Sequence, residues 1–316
     1  MFPQRNKDGC SISTRARAAS CYIFAFAAIL TVCVEAARCA DRERHTPSVV
    51  ELSTKQLRRL YPELDDLKPA STQTELPPIL RRVGTNEDAF LRNLPNLTAR
   101  EDIVVQEEEE RDIGGADRAV PVFSGKYNYL VLTQRGSDGV HLVEYRTDLK
   151  GREVKPGLDR APTFAEGFAL VALLLDPSHQ AHATFRYLGR QMVDHGEMYV
   201  VAFAQRSDGT QPTGQITIGG KTASTAYQGI AWIDPVKFQI RKMRTDLLEP
   251  RPDVGLMAQT TEVKFMEVHL PAVETPLWLP RSVVVSSLSN GQLVKNLHSY
   301  RNYQRFVANS RIVPVH

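Results

Sequence analysis

The sequence predicts an α+β fold: a mostly antiparallel, curved sheet of roughly ten strands, an unclosed β-barrel, wrapped around one or two helices. Three observations predict it. From residue 121 onward, runs rich in β-branched and aromatic residues alternate with short turn signals. The run Phe164–Leu175 has helical length and no polar face, so something must cover it on every side. At 316 residues, 42 % apolar and 24 % charged, the chain can bury a large core, and its composition excludes wholesale disorder and a multi-span membrane protein.

The strands are justified by their turns. Tyr127–Thr133 and Val140–Tyr145 flank Arg135-Gly136-Ser137-Asp138-Gly139. Thr184–Met192 and Glu197–Gln205 flank Asp194-His195-Gly196. Arg281–Leu288 and Gln292–Tyr303 flank Asn290-Gly291, the strongest short hairpin signal in the chain. Tyr227–Ile233, Phe238–Leu248 and Gln259–Leu270 read as further strands, and short connections favour antiparallel pairing. Ile103-Val104-Val105 before Glu107–Glu110 reads as a strand with a solvated acidic end rather than a calcium site. The stretch Thr210–Thr225, with Gly219-Gly220-Lys221-Thr222, reads as an inserted polar loop, because the glycine spacing of a phosphate loop is missing.

Two longer helices are expected. One spans residues 76–94, with Thr74 as its cap, Pro77 and Pro78 in the first turn, and Leu76, Leu80, Val83, Phe90 and Leu91 on one face. The other follows Thr163, where Thr163-Phe164-Ala165-Glu166 forms a capping box, and runs to Asp176-Pro177. Between them these elements define a domain over 76–308, with a short tail at 309–316.

The amino end reads as an address. Arg5, Lys7, Arg15 and Arg17 precede the apolar stretch Cys21–Val34, 14 residues long, and Val34-Glu35-Ala36 offers a cleavage site. This is the pattern of a secretory signal peptide over residues 1–36; a retained signal anchor is the alternative. Residues 37–75 read as a polar tether with a short helix near Thr54–Leu64 that docks by one or two turns; the alternative is a leader packed loosely on the domain. Removal of residues 1–36 would leave Cys39 as the sole cysteine and a net charge of +1. The exported body then has no disulfide framework or thiolate chemistry, and no basic footprint for nucleic acid. The expected location is the periplasm or cell envelope.

Catalytic motifs are absent: there is no Gly-x-Ser-x-Gly, His-Glu-x-x-His or P-loop. Asp176, His179 and His182, with Asp194 and His195 further on, make a sparse set for a zinc hydrolase. The preferred reading assigns no catalytic residue, no metal and no cofactor, and Asp234 is a turn residue.

Gly229-Ile230-Ala231-Trp232-Ile233-Asp234-Pro235, followed by Phe238–Met243, resembles the strand-turn-strand of the lipoprotein-localisation-factor (LolA/LolB-like) superfamily. Leu277-Trp278-Leu279-Pro280-Arg281 is similar to the start of that superfamily's closing strands, and the likeness covers about residues 76–306. The resemblance implies a half-barrel enclosing an apolar cavity for acyl chains. The resulting expectation is an exported, non-enzymatic carrier of an apolar ligand such as a lipid or lipoprotein acyl chain. Its lining would include Phe168 and Leu173 on the apolar helix, and Phe185, Tyr187, Phe203 and Trp232 on the strands. The alternative is an exported scaffold that grips an envelope protein partner along its sheet edges.

Overall fold

Strands begin wherever turn chemistry permits and end where it intervenes. The computed structural model describes residues 48–109, 118–136, 139–154, 171, 174–194, 196–206, 214–218 and 221–306. The expected signal segment 1–36, most of the apolar run Phe164–Leu175 and the tail 309–316 lie outside them.

In chain order the first strands are β1 (Lys68–Pro69), β2 (Leu97–Glu109), β3 (Arg118–Gly136), β4 (Gly139–Thr147), β5 (Ala183–Val193) and β6 (Gly196–Gln205). A two-stranded ribbon follows, β7 (Gly214–Ile218) with β8 (Lys221–Thr225). The last five are β9 (Tyr227–Ile233), β10 (Ile240–Leu247), β11 (Leu256–Val268), β12 (Leu277–Ser289) and β13 (Gln292–Arg305). Apart from the ribbon they form one eleven-stranded sheet, ordered β1-β5-β6-β9-β10-β11-β12-β13-β2-β3-β4 and antiparallel at every junction. β1 and β4 are its two ends, so the barrel is open, as expected.

All three sequence-read hairpins form. Ser289 pairs with Gln292 across Asn290 (φ 51°) and Gly291 (φ 81°), the two left-handed positions of a type I′ turn. The stretch read as a polar loop near Thr210–Thr225 is instead the β7–β8 ribbon. Ile216 and Ile218 pack there beside Ala223, Val254 and Leu256, a small satellite core that the polar neighbours conceal in the sequence.

Curvature follows from packing arithmetic. Eleven flat strands would span about 50 Å, yet one apolar cluster collects side chains from β2, β3, β5, β6 and β9–β13 around a single helix. That requires the sheet to curl. Bulges between β5 and β6, β9 and β10, β11 and β12, β13 and β2, and β2 and β3 supply the bends.

The helix is α2 (Leu76–Asn93), numbered after a shorter α1 (Thr54–Leu60). Glu75 stands at its N-cap with no side-chain capping bond, whereas Thr74, expected to cap, has its hydroxyl 2.9 Å from that of Thr72. Pro77 and Pro78 fill the first turn, where no donor is needed. Ile79 and Val83 are buried against the sheet. Asn86 Nδ2 donates to the Lys237 and Phe238 carbonyls (2.8 and 2.9 Å), pinning α2 to the β9–β10 turn. Gly84 lets α3 (Pro177–Gln180) approach closely; a Cβ there would lie 3.0 Å from Gln180 Nε2.

Ser48–Ala70, within the stretch expected as a polar tether, is a strap over the opposite face of the sheet. Ser53 and Gln56 form a capping box that opens α1. Leu52, Leu57, Tyr61 and Leu64 then bury against Leu188, Val200, Ile230 and Trp232. The strap is clipped by polar contacts: Val49 N donates to Gln228 Oε1 at 2.8 Å, and Arg244 meets Glu63 at 2.9 Å with its guanidinium 4.7 Å over the Tyr61 ring.

Candidate functional site

The inner face, the one that holds α2, carries an aromatic row. Phe185 pairs with Phe203 across β5 and β6, their ring centroids 6.4 Å apart. Tyr187 meets Tyr199 at 5.9 Å, and Tyr199 meets Phe238 at 6.0 Å. Phe203 is fully buried and Tyr187 nearly so, while Phe185, Tyr199 and Phe238 remain half-buried. Two cations rim the row: Arg190 lies 4.8 Å over Tyr199, and Arg82 lies 4.6 Å over Phe238. Val171, Leu174 and Leu175, the described end of the apolar run, pack into the same cluster, with Leu175 fully buried.

Two clefts open on this body. One of about 250 Å³ runs between the 68–75 segment and β5, and Tyr187 and Arg190 form its inner wall. It therefore leads from solvent to the aromatic row. The other, about 510 Å³, sits at the carboxyl end of α2 between Asn96, Arg135, Glu274 and Arg305. There Arg135 Nη2 donates to the Arg92 and Leu94 carbonyls, both at 3.0 Å, and so satisfies the end of α2.

Of the six expected lining residues, Phe185, Tyr187 and Phe203 come together on the inner face. Phe168 and Leu173 lie outside the described residues. Trp232 is on the opposite face, beneath the strap, where its Nε1 donates to Gln191 Oε1 at 2.9 Å and Lys242 Nζ sits 4.5 Å from its ring. Register decides this. Tyr199, Val201 and Phe203 stand level with Ile233, Ala231 and Gly229, so the inner parity of β9 is odd and residue 232 points outward.

Asp176, His179 and His182 do not assemble a metal site; among the described residues no group of three or more His, Cys, Asp or Glu does. Asp176 Oδ1 accepts from the His179 backbone at 2.9 Å and the Ser178 hydroxyl at 2.7 Å, the work of an N-cap. Burial raises the Asp176 carboxyl, but the hydrogen bond from the His179 side chain (Nδ1 at 3.0 Å), joined by the His179 backbone and Ser178 bonds, outweighs it and holds it at about 2. Asp234 likewise is spent in its turn, accepting from the Val236 and Lys237 backbone, each at 2.9 Å.

A second constellation on the inner face is one that sequence reading passes over. On β2 the inward residues are Leu97, Ala99, Glu101, Ile103 and Val105, an apolar alternation broken once by a carboxylate. Glu101 receives Arg146 Nε at 2.6 Å and Nη2 at 2.9 Å from β4, and lies 2.8 Å from His298 Nδ1 on β13. All three are at most 3 % exposed. Burial raises the Glu101 carboxyl, yet the His298 and Arg146 hydrogen bonds and the guanidinium charge overcome this and hold it at about 2. Burial pushes His298 down, only partly opposed by Glu101, so the imidazole is neutral at pH 7. Tyr129 and Tyr300 flank the group with rings 5.0 Å apart, and Arg146 lies 5.8 Å over Tyr129. The signal in the sequence is that single charge at an inward position, with His298 and Arg146 at matching parity on strands whose pairing only the fold reveals.

No family model matches the sequence, and no curated protein matches it. Some solved structures are similar to it at low identity. A DUF1329 family protein from Desulfovibrio piger is similar over 74 % of this chain and 94 % of its own, at 9 % identity and a TM-score of 0.40. A putative outer membrane lipoprotein-sorting protein domain from Vibrio parahaemolyticus is similar over 73 % and 93 %, at 9 % identity and a TM-score of 0.35. The Pseudomonas aeruginosa MucA/MucB complex contains a chain similar over 73 % and 99 %, at 12 % identity and a TM-score of 0.21.

Proposed function

We propose that this protein is an exported, non-enzymatic carrier of the cell envelope, which holds an apolar ligand such as an acyl chain against the inner face of the open sheet. The observation that carries the reading is the aromatic row. Its large side chains belong to the main apolar cluster, yet Phe185, Tyr199 and Phe238 stay half-buried beside a cleft that opens at Tyr187. Apolar surface left partly wet inside a concave wall gains about 25 cal/mol for every Å² a ligand covers. The cleft alone is smaller than a usual ligand pocket of about 300 Å³ or more, so uptake requires it to widen. Lys68, Arg190 and Glu75 at the rim would meet the ligand's polar end.

The test is incubation with detergent-solubilised lipid, repurification and native mass spectrometry. The wild type should retain lipid in stoichiometric amount, and Phe185→Glu should retain at least about tenfold less. A wild type that emerges lipid-free, with its near-UV circular dichroism intact, sinks the reading.

A further inference from the structure

We propose that the cleft between the 68–75 segment and β5 takes a zwitterionic phospholipid head group, a phosphate diester beside a primary ammonium. Lys68 and Arg190 bind the phosphate, and Glu75 binds the ammonium. This rests on the carrier reading and names the chemistry of the ligand's polar end.

Backbone contacts hold the two walls of the cleft together. Ala70 N donates to the Leu188 carbonyl at 2.8 Å. The Gln73 amide accepts from the Tyr187 N–H at 2.7 Å and donates to the Tyr187 carbonyl at 2.9 Å. Lys68, Ser71, Thr72 and Glu75 then line one wall, and Tyr187 and Arg190 the other. At about 250 Å³ the cleft holds a head group and not a whole lipid. Tyr187 also touches Tyr199, so acyl chains leaving the cleft pass onto the aromatic row.

The charges at the mouth balance in mostly loose pairs. Arg190 Nη1 donates to Glu197 Oε2 at 2.9 Å, but its Nη2 lies 3.5 Å from Glu75 Oε2, and Lys68 Nζ lies 3.9 Å from Glu197 Oε1. Lys68 is exposed and the other three are half-buried. Glu75 is short of donors for a local reason. It stands at the N-cap of α2, where a carboxylate ordinarily accepts from the amide of the second or third helical residue. Those residues are Pro77 and Pro78, which have no amide hydrogen. The sequence therefore puts a carboxylate at a cap it cannot make, on the wall of the cleft.

Charge and hydrogen-bonding capacity select the head group. A phosphate diester carries one negative charge and accepts from Lys68, Arg190 and the Ser71 and Thr72 hydroxyls that line the same cleft. Drawing Arg190 toward the phosphate gives up its 3.5 Å contact with Glu75, a half-exposed pair of small worth. Glu75 then accepts from the N–H donors of a primary ammonium. A quaternary ammonium has no such hydrogen. It could bind an aromatic face instead, but the face of Tyr199 already carries Arg190 at 4.8 Å. A head group with a phosphate alone leaves Glu75 facing a second negative charge.

The full chain is offered phosphatidylethanolamine, phosphatidylcholine, phosphatidylglycerol and diacylglycerol in equimolar detergent micelles, all with dioleoyl chains. Bound lipid is read by native mass spectrometry. The wild type should prefer phosphatidylethanolamine over each of the others by at least about fivefold. Glu75→Gln should bring phosphatidylethanolamine and phosphatidylglycerol level, and Glu75→Lys should reverse their order. Lys68→Gln/Arg190→Gln should lose the preference for phospholipid over diacylglycerol. A wild type that takes any of the other three lipids as well as phosphatidylethanolamine overturns the head-group assignment and leaves the carrier reading standing. So does a preference unchanged in Glu75→Lys. Uptake of none of the four overturns both.

Discussion

Glu101 and Glu87 are buried carboxyls with opposite electrostatics, and they make opposite predictions. Glu101 is held at about 2 by Arg146 and His298, below its ordinary 4.5. Its stabilising contribution is complete above pH 4.5 and disappears as the pH falls through about 2. Removing its partner alone leaves a buried charge: Arg146→Ala should cost roughly 3–5 kcal/mol in urea unfolding at pH 7. Replacing all three members together, as Glu101→Leu/Arg146→Met/His298→Leu, should recover most of that loss, because no stranded charge remains. Glu87, on the buried side of α2, is pushed up to about 8 by burial first and by the Asp176 charge second. The unfolded chain releases this proton near pH 4.5 and the folded chain near 8, so stability falls as the pH rises across that window. Glu87→Gln should flatten the fall and, at pH 8, stabilise by up to about 5 kcal/mol; unfolding curves at pH 5 and pH 8 measure it.

At the scale of elements, the strap is the most informative. Leu57 is fully buried and touches the sheet face that holds Trp232. Leu57→Ala should cost about 2–5 kcal/mol and shift part of the tryptophan emission to longer wavelength as water reaches Trp232. What was legible in the sequence was local. The Asn290-Gly291 turn, the prolines opening α2 and the Asp234 turn each work within a few residues, so their chemistry reads directly. The side of the sheet that a residue faces is not local. Trp232 alternates with Ile233 in any reading, but only the β6–β9 register tells which of them shares a face with Phe203. The strap was hidden for the same reason: Leu57, Tyr61 and Leu64 announce a one-sided helix without announcing what it covers. The Glu101 group was hidden more deeply, since its three members come from residues 101, 146 and 298.

For the whole molecule, the deciding junction is the one between β13 and β2, where Arg301 lies beside Arg100 and Val294 beside Glu107. It joins β2, β3 and β4 to the rest of the sheet and brings His298 to Glu101. Acid titration should reveal it: as Glu101 protonates, amide hydrogens of β2 and β13 should exchange sooner than those of β5 and β6, whose buried inner residues Tyr187, Val201 and Phe203 carry no charge. A further consequence concerns the order of assembly. Residues 97–147 emerge from the ribosome or translocon well before their neighbour at 292–305, so the early meander must wait with one margin bare. Contacts so distant along the chain are slow to form. A nascent polypeptide stopped short of Gln292 would keep that margin open, a natural hold for a chaperone until the last segment arrives.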